Sequence, residues 1–378
     1  MALIKKALFA LVFALPAVTG LSTPQKRATC SDGVNSAKNA VCCNLFQVRE
    51  DILDNLFENE CGDSAHGALR LIFHDAIGID PKAGGGGADG SIATFNATEL
   101  TFPANSGIDD VLDVMGPFIL KWAHVLTPGD FIQFAGALSL SLCPGAPQVK
   151  FVMGRPVPKA ASPPNLVPNP FDSVDTILAR FGSVGFSPEE VIALLSSHSI
   201  AGADDVDPSI PGTPFDISPA VYDSEYRLQK NKQCTHEFFS RLKSSSMLLF
   251  AAPSSPARVE IRERLSQLSR VLFVCNLIMI WLVIPELHVP GNPLLAKMAS
   301  EFGAAVFKMS LLGQNQGSLT DCSDLIPAAP AFTGTPSFPP SLTISDVEQA
   351  CSSSAFPKLP TQPGPPLVVP PIPQADGS

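Results

Sequence analysis

The sequence predicts a mainly α-helical protein with little β-structure. Two histidine-bearing segments follow a helical period. Clusters of proline and glycine fall between such segments rather than inside them. The chain of 378 residues, once a leader is set aside, has room for a large core or two lobes.

From the N-terminus, Lys5 and Lys6 precede an apolar run and small residues up to about Gly20, the pattern of a secretory signal. Lys26-Arg27 is a dibasic pair, so residues 1–27 are read as signal and pro-segment and the mature chain as starting at Ala28. In the first histidine segment, His66, Arg70, Phe73 and His74 fall at i, i+4, i+7 and i+8, which puts a cation, an aromatic ring and an imidazole on one helical stripe. In the second, Ser187 caps a helix with Pro188 at its first position and Glu190 completing a capping box, while Gly202 can end it. Val191, Leu194, Leu195 and His198 then share the inward face. Either histidine alone would read as a hydrogen-bonded core residue; their companions give them a further meaning.

Between them lies Gly84 to Gly87, followed by Asp89 and Ser91. No Gly-Lys-Ser/Thr follows, so the loop is not a phosphate cradle. Its acids, with Asp75, suit a hard cation such as calcium. The formal charge of −10, with no basic cluster, argues against a nucleic-acid partner. Asn96-Ala97-Thr98 is a glycosylation sequon whose setting suggests a surface loop. Val271 to Ile284 is almost wholly apolar but shorter than the roughly 20 residues of a membrane span. From 357 to 378 the chain is a proline-rich tail. Nine cysteines in a secreted chain imply disulfides with one left over.

The segments Arg70 to Ile77 (RLIFHDAI), Gly84 to Ser91 (GGGGADGS), Thr127 to Ala135 (TPGDFIQFA), Cys143 to Gln148 (CPGAPQ), Ser197 to Ile200 (SHSI), Val206 to Asp216 (VDPSIPGTPFD), Asp321 to Pro327 (DCSDLIP) and Val347 to Cys351 (VEQAC) occur in one order. With them the chain resembles the class II secretory fungal haem peroxidases. The resemblance implies a two-lobed helical fold with haem b between a distal lobe, 28–165, and a proximal lobe, 166–356. It implies hydrogen peroxide and small phenolic or aromatic donors as partners, a secreted monomer, no membrane, and two calcium ions. His74 would be the acid/base and Arg70 the donor to the leaving oxygen. Phe73 would pack on the haem, Asn105 would orient His74, and Glu99 matches the acid that holds Asn105. His198 would bind the haem iron. Asp75, Gly87, Asp89 and Ser91 match the distal calcium ligands; Ser199, Asp216, Ser218, Val221 and Asp223 match the proximal ones. The implied disulfides are Cys30–Cys43, Cys42–Cys322, Cys61–Cys143 and Cys275–Cys351, with Cys234 odd.

Manganese-oxidising members carry three acids where this chain has Asp63, Gly67 and Asp204. A glutamate at Gly67 would restore a ligand at little cost to a helix. Members that oxidise at their surface carry a tryptophan where this chain has Ala193. The resemblance thus implies a generic peroxidase, with an atypical manganese peroxidase and an inactive haem-binding relative as alternatives. The family pattern largely disappears over 224–293, where the proximal aspartate is missing and Ser266 takes its register. A buried helix, or an unspliced intron or shifted frame, would account for that stretch.

Overall fold

The computed structural model describes residues 27–169, 172–203, 213–214, 220–222, 293–332 and 363. Among them helices dominate. Helix α1 (Leu45–Asp51) runs into a wider π-helical turn, Ile52–Leu56. Helix α2 (Asp63–Ala76) is followed by two one-turn helices, α3 (Ser91–Thr94) and α4 (Asn96–Glu99). Then come α5 (Ile108–Lys121), α6 (Pro128–Leu142), α7 (Val174–Ser183), α8 (Pro188–Leu195) and α9 (Pro293–Ser310). The strands among the described residues are three antiparallel two-residue pairs: β1 (Ala28–Thr29) with β2 (Ser36–Ala37), β3 (Val152–Met153) with β6 (Thr320–Asp321), and β4 (Gly202–Ala203) with β5 (Thr213–Pro214).

The core is built around α6. Thr127 caps it by accepting from the Asp130 amide at 3.2 Å, and Pro128 pre-sets its first turn. Every residue from Gly129 to Ser141 is buried, so this helix is covered on all sides. Helix α2 lies against it where Gly136 meets Ile72: a Cβ on Gly136 would stand 2.3 Å from Ile72 Cγ2. Only a hydrogen at that position lets the helices approach so closely. Buried Leu71, Ile72, Phe131 and Phe134 each contribute roughly 1.5–3 kcal/mol at this seam. Helix α9 buries Phe302, Ala305, Val306 and Met309 at helical spacing and packs on α8.

Among the described residues three disulfides are formed: Cys30–Cys43, Cys42–Cys322 and Cys61–Cys143. The second ties residues 280 apart, a constraint worth roughly 5 kcal/mol in the chain-entropy picture. Cys234, Cys275, Cys351 and the apolar run from Val271 lie outside the described residues, as do Asp204, Asp216, Ser218, Asp223 and Ser266.

Two local expectations need correction. The capping box of Ser187 and Glu190 is present, but α8 stops at Leu195 and continues as a 3-10 turn, Ser196–Ile200, so His198 sits on that tighter turn. The reason is local: the Ser196 hydroxyl bonds the Ala193 carbonyl at 2.6 Å and the Tyr222 hydroxyl at 2.5 Å, competing with the α-helical pattern. Gly202 begins β4 instead of capping the helix. Asn96 is exposed as expected but opens α4, so the sequon lies on a helical turn, not a loop.

Candidate active site

Helix α2 carries the first half of the site. His74 is buried on it and lies 2.9 Å, through Nδ1, from Asn105 Oδ1. The Asn105 amide nitrogen donates to the main-chain carbonyl of Glu99 at 2.9 Å, which identifies the other amide atom as the oxygen. Nδ1 of His74 must therefore carry the proton, and Nε2 keeps its lone pair. Burial, with the Arg70 guanidinium adding to it, lowers the His74 pKa to about 3, against the opposing hydrogen bond to Asn105. The imidazole is neutral at ordinary pH.

The structure brings Glu99 to Asn105 as expected, through its main chain. Its carboxylate does not hold Asn105; it accepts from the Ser162 amide at 2.8 Å, and the main chain of the short helix α4 holds the asparagine. A glutamate side chain is long enough to reach past its own turn, whereas its carbonyl is fixed at the helix end. Arg70, one turn before His74 and half-buried, donates to the Ser106 carbonyl at 2.5 Å. Phe73 sets its ring edge-on to His74, with centroids 5.4 Å apart, and stacks on Phe181 of α7 at 5.9 Å. A small, partly open recess borders His74, Asn105, Ser162, Leu166 and Val167.

His66 shares the α2 stripe but serves elsewhere: its Nε2 is 3.6 Å from Cys61 Sγ. Cys61, His66 and Cys143 come together like metal ligands, yet both sulfurs are spent in a disulfide and no thiolate is present.

Behind His74, the neighbouring Asp75 is fully buried and accepts from the Gly90 amide at 3.0 Å. Asp89 is buried beside it, and its Oδ1 takes the Ser91 amide at 3.0 Å. Burial first, and then the charge of Asp89, raises the Asp75 pKa well above the ordinary value. Burial likewise raises Asp89. Two buried carboxylates repelling one another, with the Ser91 hydroxyl alongside, form an oxygen donor set that fits a divalent cation. Gly87 can only be glycine: its φ is +69°, and a Cβ would lie 2.2 Å from the Leu312 carbonyl oxygen.

On the other side, His198 stands half-buried on the turn after α8, and the buried Ser199 donates its hydroxyl to the Val221 carbonyl at 3.2 Å. Two of the five residues expected around a proximal calcium are thus together, at a separation two oxygens on one ion would have. The Val221 segment is held by its neighbour Tyr222, whose amide donates to the Pro144 carbonyl at 2.9 Å and whose ring stacks on Phe302 at 5.2 Å.

Comparison with known proteins decides the family. Residues 48–258 match the peroxidase family model and residues 297–374 the fungal peroxidase extension region. This chain belongs to the fungal peroxidase family. It is 44% identical to manganese peroxidase 3 of Phlebia radiata over 92% of this chain and 94% of that one. It is 42% identical to versatile peroxidase VPS1 of Pleurotus eryngii, over 92% of each chain, and 42% identical to ligninase H2 of Phanerodontia chrysosporium, over 98% of each.

Family membership implies haem. The peroxidase's own residues fit it: Phe73, Leu195 and Val167 are apolar yet only partly buried, one imidazole beside them is neutral, and a second is offered on the turn after α8. The mainly helical fold agrees as well. A peroxidase feature that sequence reasoning missed is the buried pair Asp130–Arg155, at 2.8 Å with side chains 2% and 0% exposed. One signal was available, since Asp130 is the only charged residue between Pro128 and Val149. Arg180 was missed too; it donates to the Ile77, Ile79 and Leu166 carbonyls and so pins the end of α2.

At the manganese positions Asp63 is exposed, while Gly67 faces Val111 of α5, where a Cβ would stand 2.9 Å from Val111 Cγ2. The expected low cost of a glutamate at this position therefore does not hold. Valine is stiff about χ1 and cannot simply turn away. We expect Gly67→Glu to lose about 1–3 kcal/mol by overpacking, less the small gain in helix propensity, and Gly67→Glu with Val111→Ala to recover most of it in thermal unfolding. Ala193 is 1% exposed, so this position offers no surface ring for oxidation.

Proposed function

We propose that this fungal peroxidase is a secreted generic peroxidase, which uses hydrogen peroxide to oxidise small phenolic and aromatic donors, including lignin-related compounds. The observation that carries the reading is the neutral, oriented His74 within one helical turn of Arg70. When bound, haem supplies the iron centre at which peroxide is reduced and from which donors are oxidised. His198 would hold that iron, and Phe73 and Leu195 would line the haem faces. His74 Nε2 would take a proton from one peroxide oxygen and return it to the other, making that oxygen a water-like leaving group, with the two electrons that O–O cleavage consumes supplied by the bound haem. Arg70 steadies the charge on the leaving oxygen. Asn105 keeps the acceptor nitrogen of His74 free by holding the other one.

We assign a distal calcium to Asp75, Gly87, Asp89 and Ser91, and a proximal one to Ser199, Val221, Asp216, Ser218 and Asp223. The distal lobe spans 28–165 and the proximal lobe 166–356. Sequence features support secretion; among the described residues no helix is long and apolar enough to cross a membrane. The generic assignment rests on Gly67 and Ala193. The test is substrate choice: the haem-loaded enzyme should turn over small phenols while leaving veratryl alcohol and micromolar Mn(II) essentially untouched. Direct turnover of either would overturn the generic reading.

For residues 224–293 the peroxidase match runs on to residue 258, past the point at which the sequence motifs fade. Sequencing the mature transcript separates the readings: an altered frame restoring an aspartate marks a gene-model error, and an unchanged frame marks a native segment.

A further inference from the structure

We propose that the Arg27–Ala28 peptide bond is a processing site open only before the N-terminal hairpin docks, because the folded protein clamps Arg27 between Ser36 and Asp324. The use of such a cut rests on the secretory reading above; the clamp itself does not.

A protease that cuts after a basic residue must take that side chain into its own acidic pocket and hold the flanking chain as an unpaired extended strand. Neither is on offer here. The Arg27 guanidinium donates from Nε to Ser36 Oγ at 3.1 Å, and from Nη2 to the Ser36 carbonyl at 2.5 Å and to Asp324 Oδ2 at 2.8 Å. The side chain is 47% exposed, so these forked bonds rather than burial hold it. Beyond the bond, Ala28 and Thr29 are already paired with Ala37 and Ser36. Cys30 follows at once, its amide bonded to the Asn35 carbonyl at 2.9 Å and its sulfur joined to Cys43.

The clamp also carries timing. Its acid, Asp324, follows Cys322, which is tied to Cys42 beside the hairpin, and Asp324 accepts from the Lys38 amide at 2.8 Å as well. One jaw comes from the start of the chain and the other from a segment beyond Cys322, far along the sequence. Until the distant segment has been docked, Arg27 lacks its acid. Hydrolysis of the bond would add water, leave a carboxylate on Arg27 and an ammonium on Ala28, and detach the guanidinium from Asp324. An exposed ion pair alone contributes only about 0–1 kcal/mol. Protection therefore comes from ion pair, strand and disulfide acting together.

The experiment uses the full-length chain with the segment before Arg27 attached. Trypsin, which cuts after lysine and arginine, is applied to the folded, oxidised protein and to the same protein reduced and denatured, and cutting at Arg27–Ala28 is followed by peptide mass. The folded form should be cut there at least about tenfold more slowly, as expected for a bond that needs local opening. Asp324→Asn should speed cutting of the folded form severalfold without changing the denatured rate. Arg27→Lys, which keeps a cuttable residue but loses the fork, should do the same; as a conservative change at a half-exposed position it guards against misfolding of the Asp324 variant. Equal rates in folded and denatured wild type would overturn the proposal, as would folded rates unchanged in both variants. A protein that proves not to be secreted would defeat the secretory reading and leave this measurement standing.

Discussion

Replacing His74 with alanine will slow the reaction of the haem-loaded enzyme with hydrogen peroxide by at least about 100-fold, the usual loss when positioned acid/base catalysis is removed. The imidazole is buried, its tautomer is set by Asn105 and Glu99, and burial with Arg70 holds its pKa down to about 3. The same residue predicts a pH profile. A base with a depressed pKa works while neutral, so the peroxide rate should stay level from about pH 8 down to about 4 and fall only as pH nears 3. Stopped-flow measurement on wild type and His74→Ala, with haem content matched by absorbance, checks both. An unchanged rate in the variant, or a wild-type midpoint near the ordinary histidine value, would sink the assignment. Asn105→Val should lose less, because the imidazole remains while its proton is no longer directed.

Asp130→Ala will cost about 3–5 kcal/mol of stability, the range for a buried ion pair broken from one side. Asp130 receives Arg155 Nη1 at 2.8 Å and the Gly154 amide at 2.7 Å. Arg155 meanwhile reaches the Val152 and Ser310 carbonyls, so its guanidinium joins α6, β3 and the end of α9. Among the described residues its Nε has no hydrogen-bond partner. Removing the carboxylate leaves a wholly buried cation whose pKa burial already pulls down. At the typical unfolding entropy of a domain this size, the loss is a fall in Tm of roughly 4–7 °C. Calorimetry should find Asp130→Asn milder, since its one carbonyl oxygen can still accept from the Gly154 and Arg155 amides. A fall in Asp130→Ala no larger than that of a surface substitution would show that the pair is dispensable. The N-terminus of α6 also backs the Asp89–Gly90 turn, where a Cβ on Gly90 would lie 2.3 Å from the Gly129 amide. Asp130→Ala should therefore also weaken calcium binding at the distal site proposed above.

The helical class, the α2 stripe and the α8 capping box were legible because each rests on local periodicity or on a side chain bonding its own turn. His74 and Arg70 could be paired from spacing, since one helical turn separates them. The sequence by itself thus determined the helical class, the one-turn spacing of Arg70 and His74 and the absence of a ring at Ala193. What only the tertiary structure decided lies across long separations. Glu99 proved to hold Asn105 by its carbonyl, which depends on where α4 ends against Ser162. Gly67 proved closed to a larger side chain because α5 brings Val111 to it. His198 moved onto a 3-10 turn because Tyr222, far along the chain, reaches Ser196. Asp130 found its cation in Arg155, and Arg27 found its acid nearly the whole chain away. Periodicity reports which face a residue presents, but which partner meets that face is set by packing, and packing is a property of the assembled chain.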